Sequence, residues 1–397
     1  MSCIRLRCNA KKRAGRGVGR SACFSDMTNY NDWRIAHSEA SMGWGGQEHR
    51  VLAELTGFQK RGCAVWLLAA PQSQIYQRAM ESGVPVVPVD FSKMRLPVNI
   101  VKFAVWLRKN RIQVLNPHSS RDGWLFGLAG RLAGVPLIIR TRHIDVDYPN
   151  PFVSRHAFTT LTDHVLTTSD KITAKFKLLF GLPDSRITTV PTGIDLQRFQ
   201  CDGPKAGLPV PIAAAGLPLV GMVSVLRSWK GHPLFFQAIK ILKDEGFQAH
   251  FVVVGGGAQV EKFENRAAEA GVRDCVTFTG HREDVPEVLR ALSVLVIPST
   301  RHEGVPQIGL QALATKTAVV GSDVGGIPEI IRPGETGRIF PAGDGVALAR
   351  AIRATLEESD QTRTMTERGF ANVQAAHSLD AMLDRLDAIY SRYIPSK

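Results

Sequence analysis

Short apolar runs alternate with longer stretches of 3.6-residue periodicity along most of this chain. Runs such as 64–69 (Ala-Val-Trp-Leu-Leu-Ala) and 250–254 (His-Phe-Val-Val-Val) carry apolar side chains at nearly every position, as strands covered on both faces do. This pattern predicts strands at 34–40, 64–69, 84–89, 112–118, 136–140, 165–169 and 187–191, then at 219–226, 250–254, 276–278, 294–298 and 317–320. Helical stretches of about ten or more residues separate them, so the natural architecture is α/β, built from βαβ units with mostly parallel sheets. Two doubly wound, Rossmann-like domains facing a cleft are expected, at 27–200 and 219–376. A Pro-rich hinge at 201–218 joins them, and a last helix at 377–397 is expected to pack back on the first domain. In such sheets ligands bind beyond the carboxyl ends of the strands, so the candidate chemistry lies in those loops.

The chain has 397 residues, 44% hydrophobic and 21% charged, enough for two or three domains and too apolar for general disorder. Its +13 formal charge is unevenly spread: +6 in residues 1–26, +8 in 27–198 and −1 in 199–397. The first segment has no apolar centre and is not a secretory signal; it loosely resembles a transit peptide and reads more simply as a disordered basic leader. The six cysteines form no C-x-x-C pair, which disfavours a zinc ribbon or disulfide framework and fits a reducing, cytoplasmic compartment. Residues 206–226 carry no charge but include Pro209, Pro211 and Pro218, so a hinge followed by a buried strand is expected there, not a membrane span.

Two loops stand out. After the first strand comes Gly43-Trp44-Gly45-Gly46-Gln47-Glu48; adjacent glycines allow close backbone approach, and the following helix start suits an anion. The same residues also suit a plain tight turn. After the 294–298 strand comes Glu303-Gly304-Val305-Pro306-Gln307, with Gln311 farther along the helix that begins near Pro306. Its free N–H groups suit a diphosphate, while Glu303 can accept from sugar hydroxyls.

Together these motifs resemble glycosyltransferase family 4, the retaining, nucleotide-sugar-dependent enzymes of GT-B fold. The resemblance runs in order through Gly45-Gly46-Gln47-Glu48, Asn116-Pro117-His118-Ser119-Ser120, Thr141-Arg142-His143, Val190-Pro191-Thr192-Gly193-Ile194-Asp195, Lys230-Gly231, Gly255-Gly256-Gly257, Glu303-Gly304 and Asp323-Val324-Gly325-Gly326-Ile327-Pro328-Glu329. It implies donor binding by Gly45, Gly46, Arg227, Lys230, Glu303, Gly304, Val305, Pro306, Gln307 and Gln311. It also implies a catalytic-site role for His143 and His118, with His143 beside the transferred sugar. No cofactor and no metal are expected.

Several departures matter. Gln311 stands where the family has a second glutamate, so the charge-assisted part of a bond to the ribose hydroxyls is lost. The family's arginine before Lys-Gly falls at Val225, with Arg227 two residues on; if the strand continues, both share a face and Arg227 reaches the cleft. His118 ends one strand and His143 follows another, so both are expected to open on the cleft. Asp145-Val146-Asp147 spells the D-x-D of metal-binding transferases of another fold, but a three-letter match in a polar loop is weak.

The acceptor in this family meets the amino-terminal domain and is often a lipid-linked or lipopolysaccharide-type glycan. Here the helical stretch 92–111 places Ile100, Phe103, Ala104 and Leu107 on one face and Lys102 and Lys109 opposite, flanked by Val105 and Trp106, with Lys93, Arg95, Arg108 and Arg111 nearby. Such a helix suits either an anionic membrane surface, on the inner face of the cytoplasmic membrane, or plain solvation. No nucleic-acid motif accompanies the basic excess. A GT-B sugar-nucleotide epimerase and a non-catalytic glycan-binding protein remain the other readings of the same cleft.

Overall fold

The computed structural model describes residues 33–394 except 146, 147, 149 and 258. The basic leader and three of the six cysteines lie outside the described residues. The first half runs β1 (Arg34–Glu39), α1 (Gly46–Lys60), β2 (Ala64–Ala69), α2 (Gln74–Glu81), β3 (Val86–Pro88), α3 (Leu96–Lys109), β4 (Val114–Pro117), α4 (Ser120–Ala133), β5 (Leu137–Arg142), α5 (Pro151–Thr159), β6 (His164–Thr167), α6 (Asp170–Phe180) and β7 (Ile187–Thr189). The second runs β8 (Leu219–Val223), α7 (His232–Asp244), β9 (His250–Val254), α8 (Val260–Glu269), β10 (Val276–Gly280), α9 (Val285–Ala291), β11 (Val294–Ile297), α10 (Gln307–Ala314), β12 (Ala318–Ser322), α11 (Ile327–Ile330), β13 (Arg338–Phe340), α12 (Gly345–Glu357), α13 (Ser359–Ala376) and α14 (Leu379–Tyr390).

Two parallel sheets result, one in the order β3-β2-β1-β4-β5-β6-β7 and one in the order β10-β9-β8-β11-β12-β13. This is the two-domain GT-B arrangement. Strand order reverses between β1 and β4 in the first sheet and between β8 and β11 in the second, which opens a crevice at each reversal. The central strands form because runs such as Val294–Ile297 are buried at every position, and apolar side chains on both faces leave no solvent-facing alternative.

Helix ends are set locally. Ser119 and Asp122 form a capping box at α4, which ends on Gly134 in the left-handed region, and Ser169 caps α6 through the Ile172 N–H.

The Pro-rich segment holds only a 3-10 turn at Ile212–Ala214 and lies along the second half, where Arg290 Nε donates to Pro204 O (2.8 Å). The last helix returns to the first half. Met382, Leu383, Leu386, Ile389 and Tyr390 of α14 join the core of Trp33, Leu55 and Phe58, with Tyr390 stacked on Phe58 at 5.3 Å between ring centroids. Several strand bounds change: β3, β4 and β7 are shorter than 84–89, 112–118 and 187–191, β8 stops at Val223, and β13 had no expectation. No helix among the described residues is long and apolar enough to cross a membrane.

Candidate functional site

The two strand-order reversals face each other, and their loops build the site. From β8 the chain turns through a 3-10 segment to Lys230 and Gly231. Gly231 has φ +82°, and a Cβ there would stand 1.8 Å from Pro298 O, so only glycine lets this loop press against the end of β11. That contact brings Lys230 Nζ to 2.5 Å from Glu303 Oε1. Ser299 Oγ also donates to Glu303 Oε1 (2.6 Å), and among the described residues Oε2 has no hydrogen-bond partner. Glu303, His302, Arg301, Asp323, Val324 and Gly325 line a cavity of about 420 Å³ together with Asp145 and Lys171 from the first half.

The first half meets this loop at His143. A Cβ on Gly304 would lie 2.1 Å from His143 O and 3.0 Å from Thr168 Oγ1, so the Glu303-Gly304 backbone rests directly on the histidine's carbonyl. Three further contacts tie the halves. Gln307 Nε2 donates to Gly46 O, Glu329 accepts from the Asp170 and Lys171 N–H groups at the start of α6 (3.0 and 3.1 Å), and Arg78 pairs with Glu283 at 2.8 Å.

The Glycosyltransferase Family 4 domain family matches residues 44–198 and the Glycosyl transferases group 1 family matches residues 212–371. The chain belongs to glycosyltransferase family 4. Over 212 residues it is 34% identical to a lipopolysaccharide core biosynthesis mannosyltransferase of Rhizobium leguminosarum, a match spanning 51% of this chain and 59% of that protein. A Rickettsia africae glycosyltransferase structure superposes with a TM-score of 0.81 at 18% identity, over 93% of this chain and 100% of that one. The Anabaena HepE structure with UDP and glucose gives a TM-score of 0.77 at 17% identity, over 91% and 100%.

Within this family member the expected residues divide into three groups. His143, Lys230, Glu303 and Gly304 meet as described, and Gly46 and Gln307 touch across the cleft. Gly45 donates to Glu48 Oε2 (2.9 Å), and its φ of −153° is ordinary extended backbone, so this loop is a helix cap as well as a cleft wall. Val305 and Pro306 are buried under α10, with Pro306 as its N-cap, and Gln311 is half-buried on the same helix.

Two expectations are corrected. Arg227 lies beyond the end of β8, so the shared-face argument does not apply; it is exposed, with its guanidinium 5.1 Å from the Trp229 ring centroid. His118 does not open on the cleft. It is 1% exposed and sits behind His143, with Nδ1 2.9 Å from His143 Nε2. Of the 145–147 triplet only Asp145 is described, and its carboxylate pairs with Lys175 at 2.6 Å.

Sequence reasoning missed the polar layer beneath these loops. His118 Nε2 lies 2.9 Å from His37 Nδ1, which is 3.8 Å from Glu54 Oε2. Glu54 Oε1 in turn accepts from Arg50 Nε at 2.6 Å. Burial and the Arg50 charge lower the His37 pKa to about 3, and burial carries His118 and His143 well below the usual imidazole range. His37, Glu54 and His118 lie close enough to share a cation, but His37 Nδ1 and His118 Nε2 are hydrogen-bonded to each other and Glu54 is ion-paired with Arg50, so this arrangement is already satisfied without an ion. Beside them burial and the Asp122 charge push the Glu39 carboxyl up to about 8. Asp122 accepts from Ser38 Oγ, the His118 N–H and Ser119 Oγ.

Proposed function

We propose that this chain transfers a sugar, with retention, from a nucleotide-diphosphate sugar to a glycan or lipid-linked acceptor of lipopolysaccharide or exopolysaccharide type. The observation that carries the reading is the Lys230–Glu303 pair at the β8/β11 crevice resting, through Gly304, on His143 of the other half. Lys230 balances the donor diphosphate as its charge grows. Glu303 Oε2 accepts from sugar hydroxyls, Gln311 bonds the ribose, and His143 positions the sugar. The anomeric carbon–phosphate oxygen bond breaks while the acceptor oxygen bonds the same face, and its proton passes to the departing phosphate oxygen, so no protein nucleophile is needed. No metal is required in this reading, and turnover is expected to persist in excess chelator. The rhizobial relative's lipopolysaccharide role supports the acceptor class.

The acceptor half also carries a membrane-facing surface in this reading. Met94, Val98, Val101 and Val105 are exposed at helical spacing along α3 and the turn before it, beside exposed Lys93, Arg95, Lys102, Arg108 and Lys109. Trp106, expected as an anchor, instead turns inward against Trp66 at 6.1 Å. Apolar and basic groups on one face suit peripheral attachment to an anionic leaflet, on the cytoplasmic side. Co-sedimentation with anionic vesicles, weakened by salt and absent with neutral ones, is expected; no binding to either rejects it.

The deciding experiment is a panel of nucleotide sugars scored for nucleoside-diphosphate release with and without glycan acceptors. Release from one donor, stimulated by acceptor and severely reduced in His143→Ala while nucleotide affinity persists, supports transfer. Epimerisation without release overturns it.

A further inference from the structure

Three adjacent strands of the first sheet, β1, β4 and β5, each bring one histidine to the same end. His37 lies within β1 opposite Asn116 of β4, His118 follows β4, and His143 follows β5. Their rings form a continuous row: centroids are 4.9 Å apart for His37 and His118 and 5.1 Å for His118 and His143. Both nitrogen-to-nitrogen separations are 2.9 Å, the distance of a hydrogen bond. His37 and His118 are at most 1% exposed, and His143 is 8% exposed.

We infer that His37 and His118 are positioning residues that fix His143 in a single tautomer, with its proton on Nδ1 and its Nε2 turned away from the ligand. This deepens the transferase reading and rests on it for the role of His143.

A neutral imidazole carries one N–H, and each of the two ring-to-ring bonds needs one proton between its nitrogens. The middle ring donates once and accepts once, so the row has one direction from end to end. Glu54 sets that direction. Its Oε2 faces His37 Nδ1 at 3.8 Å, and Arg50, hydrogen-bonded to Glu54 Oε1 and to Val190 O, holds the carboxyl in place and opposes the upward pull of burial on its pKa. A carboxylate beside Nδ1 favours the proton there.

His37 Nδ1–H then donates to His118 Nε2, and His118 Nδ1–H donates to His143 Nε2. His143 keeps its proton on Nδ1, the nitrogen left for a ligand oxygen. The reverse direction would leave a proton on His37 Nε2, which is buried without a partner among the described residues. An orphaned buried donor is rarer in proteins than an orphaned acceptor, so the assigned direction leaves the less costly group unpaired.

The ligand chemistry follows: His143 offers a neutral donor to an oxygen, such as a sugar hydroxyl, and not a base. His37→Leu removes the start of the row, whereas His37→Asn keeps an amide donor near the Nδ1 position. Long-range nitrogen–proton spectra of the full chain with nitrogen-15 histidine read the tautomer directly, without substrate. We expect His143 to show a protonated Nδ1 and a bare Nε2 in the wild-type chain and in His37→Asn, and a mixture of tautomers in His37→Leu. In turnover, His37→Leu should lower kcat by about 100-fold, the scale for a misplaced contact group, with the donor KM nearly unchanged and activity restored towards wild type in His37→Asn.

A protonated Nε2 in the wild-type chain, or identical spectra in all three proteins, overturns the inference. So does stoichiometric zinc that is lost from His37→Leu, since that would make the cluster a metal site. Absence of sugar transfer would defeat the functional reading alone, because the spectra need no turnover.

Discussion

Replacing Gly304 by alanine tests whether the two halves must meet at His143. The added Cβ would stand 2.1 Å from the His143 carbonyl oxygen, and a methyl group needs a little over 3 Å. Neither the carbonyl nor the loop behind it is a flexible side-chain end. Gly326 N donates to Gly304 O on the far side (3.1 Å), and a Cβ on Gly325 would already lie 2.1 Å from Glu303 O. The halves must therefore separate by about 1 Å, a displacement that costs on the order of 100-fold when it falls on reacting groups. Each half keeps its own core, so Tm should barely move, and nucleotide affinity should stay within about threefold because Lys230, Glu303 and Gln311 move together. The assay is kcat from nucleoside-diphosphate release, with calorimetry of nucleotide binding and a thermal melt beside it. Gly207→Ala, where a Cβ meets nothing within 4 Å, is the silent control. A Gly304→Ala kcat within threefold of wild type would refute the closed geometry as the reacting one.

Gln311→Glu restores a carboxylate on α10 and is expected to tighten nucleotide binding by roughly three- to tenfold, read by titration calorimetry; no gain would place the ribose elsewhere. Glu39 holds its proton in the native chain up to about pH 8 but loses it near 4.5 when unfolded, so its contribution to stability is full below 4.5 and falls as pH rises towards 8. Glu39→Gln should flatten that slope in urea unfolding measured from pH 5 to 8, and an unchanged slope would refute the assignment. In α1, a Cβ on Gly57 would meet Leu383 Cδ1 of α14 at 2.5 Å; Gly57→Ala should lower stability by about 1–3 kcal/mol through overpacking, and an unchanged denaturation midpoint would mean that α14 does not dock there.

The strands legible in the sequence are those whose side chains are apolar on both faces. Ala64–Ala69 and His250–Val254 match their expected bounds, because such runs have no other stable placement than a covered parallel sheet. Bounds failed where hydrophobicity and hydrogen bonding part company. Leu226 is buried and belongs to the second-half core, yet the ladder stops at Val223, so Arg227 lies beyond the alternation that would have aimed it at the cleft. The edge strand β13 is only Arg-Ile-Phe, too short to show a period.

The site follows the same division. Lys230 and Glu303 are 73 positions apart, and the crossing order that makes β8 and β11 neighbours is what turns a lysine and a glutamate into a pair; motifs in family order supplied that order where periodicity could not. His37 carried no such signal. In Arg-Ile-Ala-His-Ser-Glu it reads as one polar position of an ordinary strand start, and only the sheet order β1-β4-β5 shows that its neighbours across two strands are also histidines. Burial then changes their chemistry. A histidine open to water titrates near neutrality, whereas three buried rings in a hydrogen-bonded row, with Arg50 beyond them, remain neutral near pH 7. His118 therefore does not share the cleft with His143 but lies behind it. In the proposed arrangement one ring meets the ligand, and the others fix which of its nitrogens does so.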